Sequence, residues 1–151
     1  NILFVTNTTH ESLYFERYFG YQKAMMMQGL TVLPSVALEK PEDYMAFDDI
    51  LHQNNATALV VIDDIFALRT MQLAQIYGYQ VPETLSIISF NNSIFSTLTH
   101  PYLTSIDIDT SELGRMAMKK LYELIHEELT NGVRLVIPHK LIKRETVIPI
   151  H

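Results

Sequence analysis

Hydrophobic residues along this chain form two kinds of pattern, short uninterrupted runs and longer runs with helical spacing. Uninterrupted runs are typical of strands that are buried on both faces. They predict strands at 2–5, 31–36, 58–62 and 85–90, and extended segments at 102–106, 133–137 and 140–142. Helical spacing predicts helices at 13–28, from residue 41 onward, at 65–77 and at 111–130. The chain therefore alternates strands with helices.

Capping residues mark the ends of these helices. Glycine often follows the last turn of a helix, and Gly29, Gly78 and Gly132 stand where three helices are predicted to end. Asp64 is expected to cap the helix at 65–77, and Asp109 begins a variant capping box for the long helix that follows. Local residue choice thus agrees with the periodicity.

The order of strands and helices predicts an α/β fold with a doubly wound parallel sheet. Crossovers between parallel strands are right-handed, and they place helices on both faces of the sheet in a three-layer arrangement. The 151 residues fit one domain, and 48% hydrophobic residues can supply its core. No apolar run approaches the roughly 18–20 residues that cross a bilayer, so no membrane contact is predicted.

The acidic balance of the chain limits its partners. There are 17 acidic against 11 basic residues, which gives a net charge of −6, whereas a nucleic-acid surface needs clustered Lys and Arg. This segment is therefore not expected to contact DNA itself. The absence of cysteine excludes disulfides and thiolate metal sites, and fits a reducing cytoplasm. The chain opens in a strand without an initiator methionine, which predicts that it continues upstream.

Polar and aromatic residues just past the strands are the candidates for ligand binding, because doubly wound sheets bind ligands at the carboxyl ends of their strands. Four residues follow the first four predicted strands in turn: Arg17, Tyr44, Asp63 and Asn91. Guanidinium, carboxylate and carboxamide groups bind hydroxyls, and an aromatic ring packs against the C–H face of a sugar. We expect the four side chains to meet at one rim.

Each of these residues also has a purely structural interpretation. Arg17 could be a solvated helix residue, and Tyr44 could belong to the apolar face of its helix. Asp63 could simply end a strand, and Asn91 could serve a turn. Asp64 is expected to be a helix cap rather than a ligand contact. Convergence of the four on one rim is what favours a binding site.

The stretch 58–114 carries motifs in an order that few families share. It reads ALVVIDDIFAL, then YGYQVPETLSIISFNNS, then HPYLTSIDIDTSELG. In this order the chain resembles the effector-binding core of the lactose/galactose-repressor family of bacterial transcription regulators, and the similarity extends to the closing LIKRET segment. The resemblance implies a periplasmic-binding-protein-like lobe of a cytoplasmic, homodimeric repressor. It further implies a sugar effector, operator DNA bound by a segment absent here, and no cofactor.

The resemblance also covers the rim residues and implies that they contact the effector. Arg17 stands in an Arg-x-x-Gly motif, Tyr44 takes the place of a stacking aromatic, and Asp63 begins the family's polar pair. Asn91 replaces the usual aspartate, which removes an anion and supplies an amide donor. Similarity to a branch found in Gram-positive bacteria suggests maltose or a related α-glucoside as the effector.

The family's architecture implies two lobes and a dimer. Residues 1–108 and 139–151 resemble the C-terminal lobe, and 109–138 resemble elements that complete the N-terminal lobe, most of which is absent. Surplus apolar residues on the helix at 65–77 and in the loop that follows predict a subunit interface containing Phe66, Met71 and Phe95.

Catalysis finds little support in the sequence. There is no Gly-x-Ser-x-Gly elbow, no phosphate-binding loop and no dinucleotide fingerprint, and the six histidines lack metal-ligand spacing. We therefore expect no enzyme activity, no metal and no cofactor. Two alternatives to a repressor stay open, namely an extracytoplasmic sugar-binding transport receptor of the same fold and an enzyme built on a doubly wound sheet.

Overall fold

The computed structural model describes residues 1–8, 12–126 and 134–149. The strands are β1 (Ile2–Thr6), β2 (Val36–Ala37), β3 (Ala58–Val61), β4 (Ser86–Phe90), β5 (Thr104–Asp107) and β6 (Lys140–Ile142). The helices are α1 (Ser12–Met27), α2 (Pro41–Met45), α3 (Phe47–Asn54), α4 (Asp64–Ile76) and α5 (Thr110–Ile125), with a 3₁₀ helix at Ile94–Thr97.

The six strands form one sheet in the order β2-β1-β3-β4-β5-β6. All pairings from β2 to β5 are parallel, which confirms the α/β fold with a doubly wound sheet. β6, which was predicted only as an extended segment, joins the sheet antiparallel to β5. The reason is that β6 begins beside the end of β5, with Lys140 opposite Asp107, and therefore runs back in the opposite direction.

Helices cover the two faces of the sheet unequally. The strand order reverses direction at β1, so right-handed crossovers place α1 on one face and α3 and α4 on the other. On the α1 face, Phe4 contacts the rings of three α1 tyrosines. On the other face, buried residues of α3 and α4 pack against the sheet: Phe47, Leu51, Phe66, Ala67, Met71 and Ala74.

Two predicted elements differ from the structure. The strand expected at 31–36 is reduced to β2, because Pro34 cannot donate a ladder hydrogen bond. The hydroxyl of Tyr21 instead accepts from the Leu33 amide at 3.4 Å. The helix expected from residue 41 is divided in two at Ala46, which ends α2 and begins α3.

α5 is the one helix of eight or more residues in the described part of the chain that contributes no buried residue. Asp109 caps it by accepting from the Glu112 amide at 3.0 Å, as expected. The Glu112 side chain bonds Arg115 rather than the Asp109 backbone, so the reciprocal half of the capping box is missing. The helix was predicted to reach residue 130 and Gly132 to follow it, but 127–133 lie outside the described residues. Of the extended segment expected at 133–137, residues 134–137 have no regular secondary structure.

Candidate functional site

Arg17 and Asn91 meet at the carboxyl edge of the sheet. The two residues are 74 positions apart, and Arg17 Nη2 donates to Asn91 Oδ1 at 2.7 Å. Arg17 Nη1 donates to the carbonyl oxygen of Ile62, directly after β3. The guanidinium carbon also lies 4.6 Å from the centre of the Phe90 ring. These contacts hold a planar cation in a defined orientation at the rim predicted from the sequence.

The environment of Arg17 is partly desolvated. Burial lowers the pKa of the Arg17 guanidinium, and the negative charges of Asp63 and Asp64 raise it in part. Arginine remains protonated at any physiological pH, so the Arg17 guanidinium carries a positive charge.

Asp63 lies next to this cluster and caps α4. Its Oδ1 accepts from the Phe66 amide at 2.7 Å, and its backbone is extended, as an N-cap residue requires. The prediction that Asp64 would be the cap was wrong by one residue. The extended backbone stops at Asp63, so Asp64 belongs to the first turn of α4 and points inward.

Asp64 is the centre of a buried polar network that sequence reasoning missed. Its Oδ1 accepts from the hydroxyls of Ser89 at 2.5 Å and Ser105 at 2.6 Å. Its Oδ2 accepts from the Ser93 amide at 2.6 Å and the Ser93 hydroxyl at 2.7 Å. The carboxylate therefore ties the start of α4 to β4, β5 and the loop after β4. A weak signal was available, because small hydroxyl residues at the ends of adjacent strands can converge on one acid.

The loop after β4 holds Asn91 in a left-handed conformation, with φ 99° at Asn91 and φ 47° at Asn92. Asparagine tolerates this region better than most residues, so the turn interpretation and the site interpretation both apply. The backbone N–H of Asn91 donates to the backbone carbonyl oxygen of Ile106 at 2.8 Å. Asn92 Oδ1 accepts from Arg144 Nη2 at 2.6 Å. The loop is thus anchored on both sides.

Tyr44 has different neighbours from the other three candidates. Its carbonyl oxygen lies 3.3 Å from the hydroxyl of Tyr77, which follows the last turn of α4. α4 begins at the rim and runs away from it for about 20 Å, at 1.5 Å per residue. Across the described residues, no hydrogen bond or ring contact joins Tyr44 to Arg17, Asp63 or Asn91. The structure therefore brings together three of the four predicted residues.

The residues predicted for a subunit interface differ in their exposure. Phe66 is 3% exposed and Met71 is 8% exposed, because both lie on the side of α4 that faces the sheet. Both pack in the core of this chain and leave little side-chain surface exposed, and their part in a subunit interface stays a prediction. Phe95 is 37% exposed on the 3₁₀ helix, beside the more exposed Ile94 and Leu98.

The outer side of α4 borders a groove of about 670 Å³. The groove lies between α4 and the turns at 79–83 and 99–101. The part of Met71 that is not buried lines it, together with Leu68 and Gln72. Within 1–8, 12–126 and 134–149, no three acidic or histidine side chains are placed to hold a metal ion. None of the helices in those ranges has the length and apolar character needed to cross a bilayer.

Comparison with known proteins identifies the domain. Residues 1–147 match the family described as periplasmic binding protein-like domain. The chain is 31% identical over 152 residues to catabolite control protein A of Priestia megaterium, with 97% of this chain and 46% of that protein covered. It is 36% identical over 139 residues to the transcriptional repressor PurR of Haemophilus influenzae, covering 87% of this chain and 41% of that protein. The chain thus spans less than half the length of these curated relatives.

Solved structures agree with this assignment. The transcription regulator CcpA of Lactococcus lactis superposes with a TM-score of 0.81 at 28% identity, covering 98% of this chain and 56% of that one. The lac repressor dimer bound to operator and the anti-inducer ONPF superposes with a TM-score of 0.82 at 21% identity, covering 99% and 53%, which shows a shared fold. The chain therefore belongs to the family of periplasmic binding protein-like domains, in the form that serves as the effector-binding domain of lactose/galactose-repressor regulators.

Proposed function

We propose that this chain is the effector-binding core of a sugar-responsive transcriptional repressor that acts in the cytoplasm and binds operator DNA through a segment outside this chain. The observation that carries the proposal is the Arg17–Asn91 pair, held against the Ile62 carbonyl at the edge where such sheets bind ligands. The relatives matched by sequence are named as regulators, which favours a repressor over a transport receptor or an enzyme. Maltose or another α-glucoside is the first effector to test.

The division of the chain into lobes is part of this proposal. Residues 1–108 and 139–151 would form the C-terminal lobe, and 109–138 would complete an N-terminal lobe. Two observations support it: β6 rejoins the sheet beside β5, and α5 buries none of its residues. The apolar face of α5 is then available to the rest of that lobe: Leu113, Met118, Leu121, Tyr122, Leu124 and Ile125 are all exposed here. Residues 127–133, 150 and 151 lie outside the described part.

In this mechanism the effector biases closure of the two lobes and so changes the spacing of two DNA-binding heads. Such coupling requires that effector and operator each alter the affinity of the protein for the other. The experiment is operator binding by the full-length protein with and without maltose, related glucosides and sugar phosphates. We expect one ligand class to shift the operator Kd. Operator affinity that does not respond to a ligand the protein binds would contradict the allosteric proposal.

Substitutions at the rim test the proposed effector contacts. Arg17→Gln should weaken effector binding by about tenfold or more, because a charged hydrogen bond contributes roughly 1.5–3 kcal/mol. Tyr44→Ala should weaken it by roughly 1–3 kcal/mol if the ring stacks on the sugar after lobe closure. Isothermal calorimetry on the full-length protein measures both. Unchanged affinity in the Tyr44 variant removes Tyr44 from the site, in keeping with its contacts to Tyr77.

Dimerisation through the exposed side of α4 and the 3₁₀ helix is also proposed. Phe95→Asp should split the dimer without unfolding the lobe, whereas Met71→Asp should destabilise the lobe itself because Met71 is buried. A lasting dimer needs about 800 Å² of interface per subunit. Sedimentation velocity and thermal unfolding of the full-length protein separate the two outcomes.

The matched control is Met26→Asp on α1, at a residue that is 66% exposed on the opposite side of the sheet. This variant should remain dimeric. A wild-type protein that sediments as a monomer at micromolar concentration, or a Phe95 variant that stays dimeric, would rule out this interface.

A further inference from the structure

The charge of Arg17 is not neutralised by any hydrogen-bonded partner that the structure describes. Its acceptors are the Ile62 carbonyl and the Asn91 carboxamide, and its face rests on the Phe90 ring; all three groups are neutral. None of the ion pairs formed within the described ranges includes Arg17. Desolvation of a half-buried cation that forms no direct ion pair costs free energy, and a bound anion would offset part of that cost.

The two nearby carboxylates are committed to other donors. Asp63 Oδ1 accepts from the Phe66 amide and caps α4. Both oxygens of Asp64 are taken by four hydrogen bonds from three serines. Both acids act on Arg17 through space, but neither forms a hydrogen bond with it. The rim therefore has no internal acid that pairs with this guanidinium.

A second arginine, which follows β6, donates in a similar way to the next residue of the loop after β4. Arg144 donates to Asn92 Oδ1 at 2.6 Å and to the Leu103 carbonyl at 2.7 Å, again to neutral acceptors. Asn91 and Asn92 thus each receive a guanidinium where an aspartate would have formed a salt bridge. The loop after β4 thus accepts hydrogen bonds from two cations and contains no Asp or Glu.

The geometry of Arg17 suits a planar anion. Two of its five N–H donors are used in the contacts above, which leaves three N–H donors of the planar guanidinium for the oxygens of a carboxylate or a phosphate. Contacts to Ile62, Phe90 and Asn91 restrict the side chain before any ligand arrives, which lowers the entropy cost of binding.

We propose that the effector carries an anionic group, a carboxylate or a phosphate on a sugar, which Arg17 binds, and that the neutral side chain of Asn91 sets this preference. The inference rests on the proposed effector site and narrows its ligand. An acid at position 91 would occupy the guanidinium and compete with the anion. The phosphorylated or oxidised form of a sugar, including that of an α-glucoside, would then bind in preference to the neutral form.

Calorimetry on the full-length protein with matched ligands tests the proposal. Glucose, glucuronate and glucose 6-phosphate differ at one carbon, and maltose with its phosphorylated form gives a second set. We expect at least one anionic member to bind about tenfold or more tighter than its neutral counterpart, because charge-assisted hydrogen bonds are about twice as strong as neutral ones. The comparison of glucuronate with glucose 6-phosphate distinguishes a carboxylate site from a phosphate site.

Asn91→Asp is the decisive variant. It should weaken binding of the anionic ligand by about tenfold, since the new carboxylate pairs with Arg17. Gln53→Glu adds the same charge at an exposed position of α3 and should leave that affinity unchanged. Thermal unfolding shows whether each variant remains folded.

The outcomes separate this inference from the proposed function. Neutral ligands that bind as tightly as anionic ones, or an Asn91→Asp variant that binds the anion as the wild type does, would overturn the inference and leave the sugar site intact. Failure of every ligand in both sets to bind would count against the sugar site as well.

Discussion

Asp64→Ala should lower the free energy of unfolding by roughly 3–5 kcal/mol, because it removes the single acceptor of a buried network. The carboxylate is 1% exposed and receives four hydrogen bonds. Without it, the Ser93 amide and the Ser89 and Ser105 hydroxyls lose their acceptor in or near the core. Urea unfolding of the full-length protein measures the loss. Effector affinity should fall as well, since the Asn91–Asn92 loop is held by the same network.

The control is Asp49→Ala on the exposed side of α3, which should change stability by no more than about 0.5 kcal/mol. A second variant, Asp64→Asn, retains one acceptor oxygen, so its loss of unfolding free energy should lie between those of Asp49→Ala and Asp64→Ala. An Asp64→Ala protein that unfolds at the wild-type urea concentration would show that the network contributes little net stability.

Phe4→Ala is expected to cost roughly 3–5 kcal/mol through loss of buried area and formation of a cavity. Phe4 is fully buried in β1, and its ring centre lies 5.5–6.2 Å from those of Tyr14, Tyr18 and Tyr21. These contacts attach α1 to the sheet. Since α1 carries Arg17, the substitution should also weaken effector binding.

The matched substitution is Phe19→Ala, on the same helix at a residue that is 60% exposed. It removes the same ring from a position with little burial, so its cost should stay below about 1 kcal/mol. Equal losses from the two variants would mean that the tyrosine cluster does not hold α1 in place.

The fold followed from local patterns in the chain. Each strand and helix buries one or both of its faces, and this burial shows in the sequence as apolar runs at 58–62 and 85–90 and as helical spacing at 65–77. The same burial drives the packing of helices against the sheet. Glycines at the ends of α1 and α4 added the boundaries, because Gly29 and Gly78 have the positive φ that a helix C-terminus favours.

The candidate site was predicted only in part. Arg17 and Asn91 could be placed at one rim because parallel strands end at a common edge, and the structure joins them directly. Tyr44 follows the same rule by its position in the chain, but it lies in the short helix α2 and contacts Tyr77. The rule gives the edge at which a loop leaves the sheet; it does not give the path of the loop afterwards.

Sequence alone determined most of the strands and helices and the sheet edge at which Arg17 and Asn91 meet. Tertiary structure decided which acid caps α4 and which is buried, because Asp63 and Asp64 are equivalent as caps until the end of β3 is known. It also decided that Met71 faces inward and that β6 is antiparallel. These outcomes depend on partners 25 or more residues away, such as Ser89 and Ser105 for Asp64. Local propensity cannot report such contacts, since they exist only after the crossovers have set the strand order.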